Sequence, residues 1–131
     1  MKYEYTIAGV TLSSDRDLVA LGINGFKPFE SQGATVDCTL HFVEDMSANS
    51  FTIVNNIANS YVAEAQANAI FSRTTTGYLY SIKSGDSNDY DIVFHIDTST
   101  NAITTNIVCC SSLDVALLRF GLWIMFGVVI A

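Results

Sequence analysis

Basic residues are scarce in this chain. Six lysines and arginines stand against thirteen aspartates and glutamates in 131 residues, a formal net charge of -7, and no two of the six lie fewer than ten positions apart. Nucleic-acid binding needs a basic stripe to displace counterions from phosphates, so that class is excluded. An anionic membrane surface is disfavoured on the same ground. Proline occurs once and charged residues make up 15% of a chain that is half apolar, which excludes disordered and collagen-like structure. Cysteine is sparse and odd in number: Cys38, Cys109 and Cys110, of which the last two are neighbours that a strand would point to opposite faces. A disulfide framework is therefore not expected. A charged, apolar and small-residue leader is missing from the start, where Met1-Lys2-Tyr3-Glu4-Tyr5 reads as a strand. Reduced thiols and no leader point to a cytoplasmic location.

The motifs of common chemistries are missing too. A phosphate-binding Gly-x-x-x-x-Gly-Lys-Ser/Thr does not occur, nor does a Gly-x-Ser-x-Gly nucleophile elbow. Asp86, Asn88, Asp89 and Asp91 cluster, but the calcium-loop order breaks at Tyr90 and no closing Glu follows, so a solvated turn is the reading. His41 and His95, with Cys38 or Cys110, lack the paired spacing of a zinc site. Cys109 and Cys110 have no basic neighbour to activate a thiolate. Tyr78, Tyr80 and Tyr90 either line a small-molecule surface or pair across strands. No catalytic residue, cofactor or metal site is assigned.

What is present is a pattern of strands. Tyr3, Tyr5 and Ile7 alternate with Lys2, Glu4 and Thr6, and Val36, Cys38, Leu40 and Phe42 alternate with Thr35, Asp37, Thr39 and His41. Between them, residues 13 to 33 read as a turn-rich loop packed on the core through Leu18, Leu21, Ile23, Phe26 and Phe29. Phe51 to Val54 reads as a short strand, and residues 55 to 68 lean to extended structure although their alanines suit a helix. Ile70 to Arg73, Tyr78 to Lys83, Tyr90 to Asp97 and Ala102 to Cys110 then form a meander of antiparallel hairpins with one buried face.

At Ser111-Ser112-Leu113-Asp114 the composition changes. The Ser-x-x-Asp spacing marks a helix start, with its carboxylate in the first turn, and beyond it only Arg119 is charged through Ala131. The twelve residues Phe120 to Ala131 span only about 18 Å as a helix, short of a bilayer core of roughly 30 Å, so membrane insertion is disfavoured. A helix apolar all round must be surrounded, and one face against a sheet leaves the other bare. Phe120, Trp123, Ile124 and Phe126 are the side chains expected to lack cover, and wetting its aromatics forfeits several kcal/mol at about 25 cal/mol per Å². The expected fold is α+β: one domain, with an antiparallel sheet over residues 1 to 110 packed against the apolar helix of 111 to 131.

Met1-Lys2-Tyr3 with Ile7-Ala8-Gly9-Val10, the Gly25-Phe26-Lys27-Pro28-Phe29 loop, the hairpins, and the run from Leu113-Asp114-Val115 through Trp123 to Phe126-Gly127 resemble the N-terminal region of HPr serine kinase-like proteins. These are also described as ATP-dependent phosphoenolpyruvate carboxykinase-like, from a shared P-loop catalytic core. The resemblance implies a β-rich, non-catalytic N-terminal recognition or scaffolding domain preceding that core, whose phosphate-binding loop this chain lacks. It implies that a C-terminal kinase-like domain covers the bare helix. A second expectation, from the residues alone, is a homo-oligomeric interaction module assembled through the same helix.

Overall fold

The computed structural model describes residues 2–63, 66–84, 91–108 and 111–130. Among these the chain forms nine strands and one α-helix: β1 Tyr3–Ile7, β2 Val10–Ser14, β3 Glu30–Ser31, β4 Cys38–Phe42, β5 Ile53–Val62, β6 Ala67–Thr74, β7 Gly77–Ser84, β8 Asp91–Asp97, β9 Ala102–Thr105 and α1 Ser112–Ile130. They make a single sheet in the order β3-β1-β2-β4-β9-β8-β7-β6-β5, with α1 on one face. This is the α+β architecture that the alternation and the apolar end predict.

The first hairpin closes on a two-residue turn. Ile7 pairs with Val10, and Ala8 and Gly9 both take positive φ, 53° and 80°. Two left-handed residues make the turn whose twist matches that of the strands it joins. The sheet is mixed rather than purely antiparallel: β4 runs parallel to β2 on one side and to β9 on the other. Alternation of apolar residues reports which face a side chain takes and is blind to strand direction. After β4 the chain crosses to the far edge as β5, then returns through β6, β7 and β8 to β9 as the expected antiparallel meander.

Of the segment 55 to 68, expected to be extended, residues 55 to 62 continue from Ile53 and Val54 of the expected short strand as one ten-residue strand, β5, and Ala67 and Asn68 open β6 after Gln66, which takes a positive φ of 48°; residues 64 and 65 lie outside the described residues. The strand expected at 102 to 110 is shorter, because β9 ends at Thr105. There Asn106 takes over the pairing through its side chain, accepting the Val93 N–H at 2.9 Å and donating to Met46 O at 2.9 Å. Cys109, Cys110 and the loop 85–90 lie outside the described residues. Residues 13 to 33, expected as one loop, include the end of β2 at Ser13 and Ser14 and the strand β3 at Glu30–Ser31, and between these strands the loop packs on the core through Leu18, Ile23 and Phe26, whereas Phe29 is exposed. Tyr5 fastens this loop, its hydroxyl donating to Asp17 and accepting the Leu18 N–H at 2.9 Å.

The core lies between α1 and the sheet. Tyr5, Leu12, Leu40, Tyr80, Ile82, Ile92, Phe94, Ile96 and Ile103 meet Leu117, Leu118, Leu122, Met125 and Phe126. Burial of each such side chain contributes about 1.5 to 3 kcal/mol. The helix begins where the spacing places it: Ser111 Oγ accepts the Asp114 N–H at 3.2 Å, satisfying a first-turn donor. The sheet is not bare on its second face, contrary to the expectation of one buried side. Val93, Leu79 and His95 are buried there, and the connection from β4 to β5 crosses it, with Phe51 stacked on His95 at 4.1 Å.

Gly121 sets the distance between helix and sheet. A Cβ at that position would meet the Phe94 ring at 2.4 Å, while one at Gly127 would meet nothing within 4 Å. Gly121→Ala forces the helix or the ring to shift and is expected to cost about 1 to 3 kcal/mol in urea unfolding. Gly127→Ala, in the same helix, is expected to be neutral or stabilising by up to about 1 kcal/mol. Equal effects at the two positions would mean that Gly121 does not define the contact.

Candidate interaction surface

The helix leaves a stripe of its own surface outside the core. Inward stand Leu117, Leu118, Gly121, Leu122, Met125 and Phe126, which recur at the three- and four-residue spacing of one helical face. Outward, Phe120 is 47% exposed, Trp123 50% and Ile130 62%, with Ala116 and Gly127 on the same side by helical spacing. Arg119 is the only charge within this stripe. Of the four side chains expected to lack cover, Phe120 and Trp123 are half exposed, Ile124 is partly buried, and Phe126 corrects the expectation: it is 2% exposed and belongs to the core. A 100° step per residue carries position 126 round to the sheet side, which a reading of bulk apolarity along the run does not resolve.

The exposed rings are held in place. Trp123 packs edge-on against Phe26 at 6.1 Å and beside Phe126 at 5.9 Å, and Phe120 lies 6.2 Å from the Tyr80 ring. Aromatic rings anchored on one side and wet on the other have little conformational entropy left to lose on contact with a partner. A cleft of about 110 Å³ opens between Val62 and the helix residues Ala116, Phe120 and Trp123. A wider groove of about 660 Å³ runs between Ile57, Phe71 and Tyr78 of the sheet and Ile124, Gly127 and Val128 of the helix. Phe71 and Tyr78 stack at 5.5 Å, so Tyr78 serves as a cross-strand partner, and Tyr80 is buried; Tyr90 lies outside the described residues. Aromatic and aliphatic side chains around a shallow apolar groove suit a protein surface better than a small polar ligand.

At 19 residues, α1 is longer than the apolar run alone, and its length and mean hydropathy of 2.0 satisfy the requirement for crossing a membrane. One third of it is buried in the protein, where Gly121 fits it to the Phe94 ring, a close approach of helix to sheet.

Polar chemistry lies elsewhere. His41 and His95 both pair with Thr104, one on each side of β9, and so stand two strands apart, nearly 10 Å. One metal ion cannot bridge them, and among the described residues no group of three His, Cys, Asp or Glu is arranged to hold a metal. Cys38 is buried, and desolvation together with the adjacent Asp37 pushes its thiol up to about 11, so it is inert at neutral pH. A cavity of about 370 Å³ beside β1 is lined by Glu4, Asp17 and Glu30 with Lys2 as its one cation, an environment that repels phosphates. His95, which bulk patterning put on a polar face, contacts Thr76 Oγ1 at 3.0 Å and Thr74 Oγ1 at 3.3 Å beneath Phe51. Its stack on Phe51, 44 positions away in the sequence, carried no signal in either local pattern.

Against known proteins the chain has no match: a scan against protein-family models, a search of curated proteins and a search of solved structures each find none.

Burial lowers the pKa of His95 from its ordinary value, with Asp97 opposing only in part. The unfolded chain therefore takes up this proton first as pH falls below about 6.5, and stability is lost through the window between the unfolded and folded values. In urea unfolding from pH 7 to pH 5, His95→Gln is expected to show a flatter pH dependence than the native chain. His41 is common to both, so an unchanged slope would show that His95 is not the group responsible.

Proposed function

We propose that the chain is a non-catalytic scaffolding domain that docks through the outer stripe of α1 onto a folded protein surface, as the N-terminal part of an HPr kinase-like protein docks its P-loop catalytic core. The observation that carries the reading is the half-exposed pair Phe120 and Trp123, held by Tyr80 and Phe26 on a helix with a single charge in its outward stripe. Such a surface in water costs several kcal/mol that a partner recovers. Its composition fits an obligate rather than a transient contact, since permanent interfaces are the more apolar kind. The nucleotide chemistry belongs to the partner: this chain has no phosphate-binding loop, and the polar cavity beside β1 is acidic.

Homo-oligomerisation through the same helix is the second reading. Ala116 and Gly127 favour it, being small enough on the outward side for another helix to approach closely.

Phe120→Ser with Trp123→Ser removes the stripe without touching the inward face. Mixed with an HPr kinase-like P-loop core, the native chain is expected to form a complex by light scattering and the double variant to bind at least about tenfold more weakly. The chain alone is expected to give no heat with Mg-ATP in calorimetry and to stay in solution with phosphatidylcholine vesicles. Saturable Mg-ATP binding, flotation with the vesicles, or core capture indifferent to Phe120 and Trp123 would overturn the reading. Self-association of the native chain that the double variant abolishes, without capture of the core, would select the homo-oligomer instead.

A further inference from the structure

Among the described residues, the second half of the sheet's far edge carries no guard. Strand β5 pairs with β6 on one side and, among the described residues, with nothing on the other. Proteins blunt such edges by keeping them short or by placing lysine or proline on them. Here the strand is ten residues long, and the whole stretch from Met46 to Ala63 contains no Lys, Arg, Asp, Glu or Pro. Every residue from Ile53 to Tyr61 is exposed, Val54 to 59% and Tyr61 to 63%. Register shifts interrupt the first half of β5, between Ile53 and Asn55 and between Asn56 and Ala58. From Ala58 to Val62 the pairing with β6 is uninterrupted, so along these five residues the N–H and C=O of every second residue form a regular outward row of donors and acceptors.

We propose that this row pairs with the same row of a second copy, joining two sheets edge to edge. The unpaired backbone defines the chemistry of the occupant, which must be an extended strand. Two features select a copy of this chain. In a molecule of net charge -7 two copies repel, and the 18-residue uncharged stretch centred near β5 is a surface across which they meet without opposing carboxylates. The segment is also self-complementary when run antiparallel about a two-fold axis at Ser60. Ala58 then faces Val62 of the second copy, and Asn59 faces its Tyr61, giving that exposed ring a cross-strand neighbour. The axis stands perpendicular to the sheet, so both α1 helices fall on the same face. The pairing is independent of the docking function proposed above.

The test places like charges on the row. Asn59→Lys with Tyr61→Lys in one chain, and Asn59→Glu with Tyr61→Glu in another, change only exposed side chains. In sedimentation velocity the native chain is expected to be a dimer, each variant a monomer with its dissociation constant raised at least about tenfold, and an equimolar mixture of the two variants a dimer again. Circular dichroism checks that both variants fold, and Asn59→Lys alone serves if a double variant does not. A native chain that is monomeric at every concentration reached would overturn the proposal. So would a dimer indifferent to these charges, including one broken only by Phe120→Ser with Trp123→Ser, which would belong to α1 and leave the docking surface standing.

Discussion

The contact between Gly121 of α1 and the Phe94 ring of β8 governs the rest of the structure. A glycine at that point lets a helix with no polar face lie close on the sheet, and Leu117, Leu118, Leu122, Met125 and Phe126 then reach the buried face of the strands. The sheet alone has no second layer on that side. Without the helix, Ile92, Ile96, Tyr80, Ile82 and Ile103 would face water together, a loss comparable to the stability of a typical domain. The second face is closed more lightly, by the connection between β4 and β5 with Phe51 on His95.

One helix cannot bury all of itself against one sheet. The inward face is buried, and Phe120, Trp123 and Ile130 remain about half exposed or more. The exposed rings are oriented by Phe26 and Tyr80 from below, so the surface is already shaped before a partner arrives. The proposed docking would account for both halves of α1 at once, the sheet covering one and a partner the other.

Much of this was legible in the residues. Alternation at Tyr3-Tyr5-Ile7 and at Tyr78-Tyr80-Ile82 reports burial directly, because the side-chain period of a strand is two. Ser111 and Asp114 announced the helix start, and the cap is formed by those residues. The direction of β4 was not legible, since parallel and antiparallel neighbours leave the same alternation. Nor was the burial of Phe126, which depends on which arc of a uniformly apolar helix meets the sheet, a matter decided by Gly121 and Phe94 rather than by local hydropathy. The strap over His95 was hidden for a third reason: Phe51 and His95 are far apart in the chain and neither sits in a recognisable motif.

Trp123 is the chain's single tryptophan and stands in the middle of the outer stripe, so its fluorescence reports on that stripe alone. Acrylamide quenching, measured on a sample dilute enough to sediment as a monomer and again with the docking partner added, tests the account most directly. The account predicts an indole open to quencher in the lone chain and shielded in the complex. An indole already shielded in the monomer would mean that the chain covers its own helix, and the docking surface would not exist.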